Sequence, residues 1–459
     1  MDVAVIGAGP VGLMLAAELR LGGAEVVVLD RRATPDERPR ANGLGGRIVE
    51  QLDHRGLLER FRAEAAFAGP FPGFPFGPVP LDFSGLNPPM RGLMLQQPRM
   101  EALLAARATE LGAEIRRGHE LVDLETVRSP DGSYRLEARY VVGCDGAHSR
   151  VRELAGIGFP GTTDGELMRL GHFRADVGLF MTVPGLERGW NRRPGGRVLV
   201  TSLTPGVVIA GVREVTPEPP GEPTLDEFRD AVRRVLGADL PLGEPLWLSR
   251  TVSSARLAER YRAGRVLLAG DAAHLFPAGG SSLNVGLLDA VNLGWKLAAV
   301  VRGASPESLL DSYHAERHPV AERTLTQTRV QALLDRLTGE DGDALRTLFG
   351  ELAALPQATR HLAGLMRDAD DLPYVPDLPL TVDGRATRVA EVMRAARPVL
   401  FDFADRADLR EAAGPHVKLV TASCPDAPAD ALLVRPDGVV TWSGDDPAAL
   451  REAIAAPGR

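Results

Sequence analysis

Residues 3–30 read VAVIGAGPVGLMLAAELRLGGAEVVVLD, and this stretch decides the fold. An apolar run (Val3–Ile6) is followed by glycine, by apolar residues at helical spacing (13–21) and by a second apolar run (26–29). The pattern predicts a strand, a tight turn, a helix and a second strand. Such a βαβ unit is the usual start of a parallel sheet covered by helices. We therefore predict an α/β fold.

The turn between the first strand and the helix reads GAGPVG. Gly7 permits the tight turn, Gly9 lets a pyrophosphate approach the backbone, and Gly12 lets the helix pack closely on the strand. Pro10 lies in the same loop, at the start of the helix. The free N–H groups at a helix N-terminus attract phosphates. This spacing predicts a dinucleotide site.

The end of the second strand carries the acidic residue that such a site needs. Asp30 closes VVVLD at the position where a carboxylate binds ribose hydroxyls, and Arg31 follows it. The motif alone does not separate FAD from NAD. A glycine-rich turn in a nucleotide-free βαβ unit is the alternative interpretation.

Composition limits the class of protein. A chain of 459 residues with 44% hydrophobic residues can bury the cores of two or three domains. Its formal charge of −8 argues against nucleic acid as a partner. The two cysteines are too few for a disulfide framework, and no signal peptide or membrane-spanning apolar run is present. We therefore predict a soluble cytoplasmic protein without a bound metal.

The rest of the chain divides by its patterns. Short strands between Pro and Gly turns predict an antiparallel layer over 165–255, and a mostly helical region follows from Asn284 to about Leu365. Residues 48–65 also predict a helix, and residues 100–115 predict a helix that ends at Gly112 and runs into a strand. A proline-rich segment near 373–386 predicts a linker, and the strands after it include a hairpin that turns at Asp437-Gly438.

The segment 69–92 is rich in proline, glycine and phenylalanine, so it cannot form regular helix. One interpretation is a surface loop with short edge strands. The other is an aromatic wall over a ligand cavity, because exposed phenylalanines without a partner are costly. The side chains concerned are Phe71, Phe74, Phe76 and Phe83.

Two later stretches repeat the arrangement of a buried strand followed by an acid and glycine. YVVGCDGAHSRVR (140–152) places Asp145 and Gly146 directly after a strand; a loop salt bridge with a helix N-cap is the bland alternative. RVLLAGD carries Asp271 to the end of another strand. PAGGSSLN (277–284) then brings an unshielded glycine backbone to a helix start.

In this order and at these separations, GAGPVG, GCDGAHSRVR and GDAAHLFPAGG resemble the three fingerprints of class A flavoprotein monooxygenases. The resemblance covers most of residues 1–325 and is closest to the FAD-dependent aromatic polyketide hydroxylases of bacteria. Those proteins carry a C-terminal thioredoxin-like domain without redox cysteines, and LLVRPDGVVTW (432–442) resembles its end. The implied fold is a Rossmann-like FAD-binding domain (1–164 and 256–372, with substrate-domain strands near 69–98), an antiparallel substrate domain (165–255) and a thioredoxin-like domain (387–459).

The resemblance also implies which residues contact FAD. Asp30 would hold the adenosine ribose, Asp271 the ribityl chain, and Asp145 both FAD and passing NADPH. The segment 277–284 would line the flavin ring. The full set of expected cofactor contacts is Gly7, Gly9, Pro10, Gly12, Asp30, Arg31, Arg40, Gln97, Asp145, Gly146, Asp271, Pro277, Gly279, Gly280, Ser282, Leu283 and Asn284, with Arg47 in the segment that usually lines the flavin.

The implied reaction uses NADPH to reduce FAD and O2 to form a flavin C4a-hydroperoxide, which hydroxylates a polycyclic aromatic, polyketide-type substrate. No side chain is assigned as catalytic, because the cofactor carries the chemistry. Baeyer–Villiger insertion or another oxygenative rearrangement uses the same hydroperoxide and is the alternative. A non-catalytic pathway protein that keeps the fold is a second alternative. The sequence leaves the nicotinamide preference and the oligomeric state open.

The chain departs from the family at the flavin loop. Family members usually read GGQGMNTGxQDA, whereas this chain reads GGSSLNVGLLDA, with Ser281 and Ser282 in place of Gln-Gly. We expect flavin binding to survive and flavin movement or reactivity to change. Elsewhere, His274 and Trp295 are predicted to be structural. His314 and His318 lack the further ligands of a metal site.

Overall fold

A computed structural model describes residues 1–38, 40–219, 221–277 and 282–456. Elements are numbered in chain order. The strands are β1 (Val3–Ile6), β2 (Val26–Asp30), β3 (Leu44–Gly45), β4 (Phe67–Pro70), β5 (Gly73–Phe76), β6 (Val79–Asp82), β7 (Arg91–Met94), β8 (Glu114–Arg117), β9 (Glu120–Asp123), β10 (Thr126–Ser129), β11 (Gly132–Arg135), β12 (Tyr140–Gly143), β13 (Gly161–Arg174), β14 (Gly189–Arg193), β15 (Gly196–Thr204), β16 (Val207–Val215), β17 (Pro245–Leu257), β18 (Arg262–Ala263), β19 (Val266–Leu268), β20 (His274–Leu275), β21 (Pro379–Val382), β22 (Arg385–Arg388), β23 (Val399–Asp402), β24 (Lys418–Thr421), β25 (Ala431–Val434) and β26 (Val440–Gly444). The helices are α1 (Pro10–Leu21), α2 (Arg47–His54), α3 (Leu58–Glu64), α4 (Gln97–Glu110), α5 (Arg150–Leu154), α6 (Val177–Phe180), α7 (Leu225–Leu236), α8 (Ser282–Val301), α9 (Asp311–Arg336), α10 (Gly339–Ala353), α11 (Pro356–Arg367), α12 (Val389–Val392), α13 (Ala407–Ala413) and α14 (Pro447–Ala455).

The first sheet has the order β18-β19-β12-β1-β2-β8, and all its pairings are parallel except that of β18 with β19. This confirms the predicted βαβ unit β1-α1-β2. Helices α1, α4 and α8 pack together beside the sheet. Because β1, β12 and β19 are neighbours and parallel, the loops after their carboxyl ends meet at one edge. That edge brings together the three stretches that the sequence singles out.

The second sheet has the order β14-β15-β16-β13-β17-β20 and is antiparallel throughout, which confirms the predicted antiparallel layer. Helix α7 covers one face, where Phe228 lies against Phe173 with ring centroids 5.3 Å apart. The sequence analysis missed α7, although its signals are present. Thr224 caps its N-terminus and Gly237 adopts the left-handed conformation at its C-terminus.

The phenylalanine-rich segment forms the β5–β6 hairpin and contributes β4 and β7 to a small sheet with β3. Phe76 and Phe83 are buried against side chains of α9, α10 and α11, so they are core residues. Phe67 and Phe74 are 41% and 40% exposed, and Phe71 stacks between them with centroid distances of 5.6 Å and 6.1 Å. The short strands confirm part of the first interpretation, whereas an aromatic wall over a ligand cavity stays a prediction.

One predicted helix needs correction. The helix expected over 48–65 is two helices, α2 and α3, because Gly56 breaks the run with a φ of +66°. The predicted helical region after Asn284 is confirmed as α8 to α11. The helices in the described ranges include no segment that is both long and apolar enough to cross a membrane.

The C-terminal unit is a sheet of order β24-β23-β25-β26 with helices α12, α13 and α14. The predicted hairpin is confirmed, since β25 and β26 pair antiparallel around Gly438, which has a φ of +86°. The predicted linker 373–386 is wrong in part, because it contains β21 and the start of β22. Val375 and Leu380 are buried in the same core cluster as Phe401, so burial of these side chains orders the segment.

The hairpin turn of the C-terminal unit contacts helices α2, α8 and α9. The Asp437 carbonyl accepts a hydrogen bond from Gln51 Nε2 at 2.7 Å, and its carboxylate accepts one from Trp295 Nε1 at 3.1 Å. Arg435 forms an ion pair with Glu316 of α9 at 2.8 Å. Trp295 is buried, as predicted. The turn thus links α2, α8 and α9.

His54 of α2 makes this docking region sensitive to acid. Burial and, to a smaller extent, the neighbouring Arg55 lower the pKa of His54 to about 4. Between pH 6.5 and 4, His54 is protonated in the unfolded chain but neutral in the folded chain. The free energy of unfolding therefore falls as the pH falls through this window. We expect wild type to lose about 3 kcal/mol more than His54→Gln in the free energy of unfolding across it. Urea denaturation at a series of pH values measures this.

An exposed histidine provides the control for that comparison. His416→Gln should leave the pH profile of the free energy of unfolding unchanged, because His416 is exposed. Parallel profiles for wild type and His54→Gln would contradict the assignment.

Candidate functional site

A cavity of about 770 Å³ lies where the loops after β1, β12 and β19 meet. Its lining comes from all three predicted fingerprints. Twelve of the seventeen predicted cofactor contacts line it: Gly7, Gly9, Pro10, Asp30, Arg31, Arg40, Gln97, Asp145, Gly146, Asp271, Ser282 and Leu283. Residues that the sequence did not single out also line it, among them Arg32, Asp36, Glu101, His119, Cys144 and His148.

The three glycines of the GAGPVG loop differ in how closely other atoms surround them. Gly7 has a φ of +109°, and a Cβ there would lie 2.3 Å from the Cys144 carbonyl oxygen. A Cβ on Gly12 would lie 2.0 Å from the Gly7 carbonyl oxygen, so this glycine is needed for close packing of α1 on the turn. Gly9 is different, since a Cβ there would meet no described atom within 4 Å. It faces the cavity.

Asp30 is buried at the end of β2 with both carboxylate oxygens engaged. It accepts hydrogen bonds from the Ala8 amide at 2.9 Å and the Arg32 amide at 2.8 Å. Burial alone would raise the pKa of Asp30, but the hydrogen bonds from Arg32 and Ala8 lower it overall. The carboxylate is therefore ionised and fixes the glycine loop against the strand end. Contact with a ribose stays a prediction.

Asp145 follows β12 with one oxygen satisfied and one free. Oδ2 accepts a hydrogen bond from the Val151 amide at 3.1 Å. Oδ1 is buried and has no hydrogen-bond partner among the described residues. Burial raises the pKa of this carboxyl. Beside it, Gly146 has a φ of +86° and open space where a Cβ would point. The loop thus presents an acceptor and a bare backbone to the cavity.

Asp271 and Ser282 face each other across the third loop. The Ser282 hydroxyl donates a hydrogen bond to Asp271 Oδ1 at 2.6 Å. Ser282 is the first residue of α8, so the bond ties the helix start to the short 3-10 turn at Gly270–Ala272. The serine in place of the usual family glycine therefore creates a contact within the cavity wall.

Asp289 of α8 holds the loop around Gly270 and His274 in place through hydrogen bonds, and the sequence analysis did not identify it. It is fully buried and accepts hydrogen bonds from His274 Nε2 at 2.9 Å, Arg317 Nε at 2.8 Å and the Gly270 amide at 3.2 Å. Burial by itself raises the pKa of Asp289, but Arg317 and His274 lower it overall. His274 is thus a structural hydrogen-bonding residue, as predicted.

The arginines at the cavity mouth have different roles. Arg31 is exposed and has no ion-pair or hydrogen-bond partner among the described residues. Arg40 pairs with Asp36 at 3.1 Å. Hydrogen bonding to Arg38 holds the pKa of Asp36 well below its usual range. These groups place positive charge beside the cavity.

Arg47 is not among the described residues that line the cavity, and its expected position beside a flavin stays a prediction. Its guanidinium pairs with Asp368 at 2.9 Å and lies 3.9 Å from the centre of the Tyr374 ring. Both partners come from more than 300 positions away along the chain, which is why local sequence patterns cannot reveal them. Arg47 fastens α2 to the segment after α11.

Gln97 lies at the start of α4 and lines the cavity as predicted. Its Nε2 donates a hydrogen bond to Glu101 Oε1 at 2.8 Å, and its amide donates to the Ala41 carbonyl at 2.8 Å. Burial raises the pKa of Glu101. The side-chain carbonyl of Gln97 has no hydrogen-bond partner among the described residues, so it is available as an acceptor.

The other five predicted cofactor contacts either do not line this cavity or lie outside the described residues. Gly279 and Gly280, like Ser281, lie outside the described residues. Gly12, Pro277 and Asn284 are not part of the cavity lining that the described residues form. Asn284 Oδ1 instead accepts a hydrogen bond from the Gly45 amide at 3.3 Å, which joins α8 to β3.

The two helical histidines pack with Tyr261. The Tyr261 amide donates a hydrogen bond to His314 Nδ1 at 3.4 Å, and His318 Nε2 lies 3.1 Å from the Ala258 carbonyl oxygen. Over the part of the chain that the structure covers, no group of three or more His, Cys, Asp or Glu side chains is placed to hold a metal ion.

Residues 1–328 match the family described as FAD binding domain, and residues 373–456 match that described as Aromatic-ring hydroxylase, C-terminal. The chain belongs to the FAD-dependent aromatic monooxygenase family. FAD is the cofactor of its N-terminal domain. As a member of this family the chain is an enzyme.

Relatives span nearly the whole chain. The 12-dehydrotetracycline 5-monooxygenase/anhydrotetracycline 6-monooxygenase of Streptomyces rimosus subsp. rimosus is 41% identical over 96% of this chain and 95% of its own. The dialkyldecalin synthase of Streptomyces rugosporus is 40% identical over 96% of this chain and 95% of its own. CabE, an aromatic hydroxylase from angucycline biosynthesis, is 39% identical, with a TM-score of 0.88 over 96% of this chain and 95% of CabE.

Proposed function

We propose that this monooxygenase uses NADPH and O2 to hydroxylate a polycyclic aromatic, polyketide-type substrate. Two of the relatives named above support this substrate class: one is named for tetracycline intermediates, and the other is an aromatic hydroxylase from angucycline biosynthesis. When bound, FAD supplies the redox and oxygen-transfer chemistry, which the family resemblance assigns to the flavin C4a position. The protein's part is to bind FAD, orient the substrate and exclude water.

The observation that carries the proposal is the cavity where the three fingerprints meet. The open space at Gly9 suits the close approach of a diphosphate to the start of α1, where free N–H groups point outward. The unpartnered Oδ1 of Asp145 is a buried acceptor that a cofactor or dinucleotide hydroxyl would satisfy. Asp271 lies across the same cavity and would accept from the ribityl chain.

The aromatic wall gives the substrate a surface to lie on. Phe71 lies over Gly92 and 3.7 Å from the position of a Cβ on Gly45, whose amide donates to Asn284 at the start of α8. The middle ring of the row, Phe71, therefore lies nearest the start of α8, and the outer rings of Phe67 and Phe74 are exposed to solvent. Planar aromatic rings stack well on such faces.

Finer features of the architecture belong to the same proposal. The parallel sheet with the glycine loop supports a Rossmann-like FAD-binding domain. The mixed four-stranded sheet between α12 and α14 supports a thioredoxin-like C-terminal domain. Cys144 and Cys424 are free thiols, so that domain would lack a redox pair; they also suit a reducing cytoplasm.

Three measurements on the purified chain test the function. Its visible spectrum should show bound flavin, and NADPH oxidation should accelerate when tetracycline-like or angucycline-like polycyclic aromatics are added. With 18O2 the product should gain one labelled oxygen. A colourless protein that FAD does not reconstitute would overturn the proposal, as would NADPH oxidation that no such compound stimulates.

An oxygenative rearrangement is the second candidate reaction. Family membership alone does not fix the reaction, because this chain is 41% identical to a monooxygenase and 40% identical to a dialkyldecalin synthase. NMR of the labelled product separates the outcomes. A hydroxyl on an aromatic carbon supports hydroxylation, whereas oxygen within a new ester or lactone supports Baeyer–Villiger insertion.

The Ser282–Asp271 hydrogen bond should strengthen FAD binding. Ser282→Ala removes the donor that holds the Asp271 carboxylate in place, so we expect about fivefold weaker FAD binding, or roughly 1 kcal/mol. Flavin fluorescence during titration of the apoprotein measures the dissociation constant. Ser312→Ala removes a similar hydroxyl far from the cavity and should change nothing. Tighter binding in Ser282→Ala would mean that the serine competes with FAD for the carboxylate.

A further inference from the structure

The turn of the β25–β26 hairpin is fully buried, although turns and loops ordinarily lie on the protein surface. All residues of the stretch 435–438 are buried, and two of them carry charges. Arg435 and Asp437 are each 4% exposed. We refer to residues 435–438 as the docking turn. Burying charges is costly unless they are paired, so the partners of this turn indicate what it does.

Three side chains on one face of α8 hold the docking turn or its partner. Asn292 Nδ2 and Trp295 Nε1 both donate to Asp437 Oδ2, at 3.3 Å and 3.1 Å. Lys296 is fully buried and forms an ion pair with Glu316 of α9 at 2.9 Å. Glu316 also pairs with the arginine of the docking turn at 2.8 Å. Two cations and two carboxylates thus balance each other where the turn meets α8.

A second buried contact connects the docking turn to α1. Arg55 Nη2 donates to the Pro436 carbonyl at 2.8 Å, and the same guanidinium pairs with Glu18 of α1 at 2.7 Å. The side chains of Arg55 and Glu18 are both 1% exposed. Glu18 also packs on α8, because a Cβ on Gly294 would lie 2.3 Å from the Glu18 Cβ. The docking turn is therefore tied to α1 and α8 at the level where these helices touch.

Both of these helices begin at the cofactor cavity. Pro10 is the first residue of α1 and Ser282 the first residue of α8, and both line the cavity. No residue of the docking turn is among the described residues that line it. A shift of either helix at the docking turn also moves its first residue in the cavity wall. Binding sites lose affinity when the residues that support their walls are loosened.

We propose that Asp437 is a positioning residue for FAD: by fixing the docking turn against α1 and α8, it strengthens cofactor binding at a cavity that it does not line. Coupling between two sites is reciprocal, so bound FAD should also stabilise the docked turn. The proposal needs FAD binding but not the hydroxylation proposed above, so either can fail without the other.

Titration of the full-length apoprotein with FAD, followed by flavin fluorescence, tests the positioning role. D437N keeps the size of the side chain but removes one of the two carboxylates that balance the buried cations. It should bind FAD about tenfold more weakly than wild type at a temperature where far-UV circular dichroism shows both to be folded. Unchanged affinity in D437N would overturn the proposal.

A matched variant separates positioning from general stability. Leu409 of α13 is fully buried in the core cluster that α13 shares with α14, away from the docking turn. L409A should lower the melting temperature of the C-terminal unit and leave the FAD dissociation constant unchanged. If L409A weakened FAD binding as much as D437N, loosening of the whole unit would explain both results and the proposal would be wrong.

Hydrogen exchange supplies a measurement that does not depend on D437N. The Gly438 amide donates to the Arg435 carbonyl within the docking turn. In wild type, bound FAD should slow the exchange of this amide about tenfold. W295F removes one donor to Asp437 and should reduce that slowing to about threefold, with about threefold weaker FAD binding. Exchange at Gly438 that FAD does not slow, or slows equally in wild type and W295F, would contradict the coupling.

Discussion

Replacing Gly9 by alanine should weaken FAD binding about 100-fold, or about 2.7 kcal/mol, while leaving the apoprotein as stable as wild type. The backbone at Gly9 is extended, with φ −80° and ψ −179°, so alanine adopts it without strain. No described atom lies within 4 Å of the new Cβ. The methyl group therefore costs the fold nothing. Its only effect is to occupy the space in which a diphosphate would contact the start of α1.

Two further substitutions serve as controls for this prediction. Gly85→Ala also adds a methyl group in open space, but outside the cavity, so it should change neither FAD affinity nor melting temperature. Gly12→Ala places a Cβ 2.0 Å from a backbone oxygen and should destabilise the fold itself. FAD titration of the apoprotein and thermal melting without FAD separate the two effects. Unchanged FAD affinity in Gly9→Ala would show that the diphosphate lies elsewhere.

The features that the sequence predicts well depend on residues that lie close together along the chain. The βαβ unit follows from apolar spacing and three glycines, and the structure places Gly12 against Gly7 as expected. Parallel neighbours β1, β12 and β19 then bring Asp145 and Asp271 to one cavity without further information. Each strand end and the acidic residue beside it can be recognised from its own segment of sequence. Because the strands are parallel neighbours, the site where these acidic residues meet can then be predicted.

The features that the sequence hides depend on partners far along the chain. Arg47 lies in a segment that resembles a flavin contact, yet Asp368 binds it from 321 positions away. The predicted linker contains β21 because Leu380 packs against a core that forms from later strands. Helix α7 is the exception, since its cap and its apolar spacing are local signals that the analysis did not use.

Asp289→Asn should destabilise the protein by about 3–5 kcal/mol and weaken FAD binding as well. The carboxylate is the buried centre on which His274, Arg317 and the Gly270 amide converge. Asparagine keeps the shape but not the charge, so the buried Arg317 guanidinium loses its main counter-ion. Asp370 lies 3.7 Å from Arg317 and compensates only in part, because burial raises its own pKa.

The loss should reach the cofactor because the same carboxylate holds the loop that carries Asp271. Without the charged acceptor, the Gly270 amide loses its strong hydrogen bond, and the turn that positions Asp271 is no longer fixed from below. Urea denaturation measures the stability, and FAD titration of the folded fraction measures the affinity. Asp226→Asn removes an exposed partner of Arg229 and should cost less than about 1 kcal/mol. If Asp289→Asn were as mild as Asp226→Asn, the Asp289 cluster would not be what supports the flavin loop.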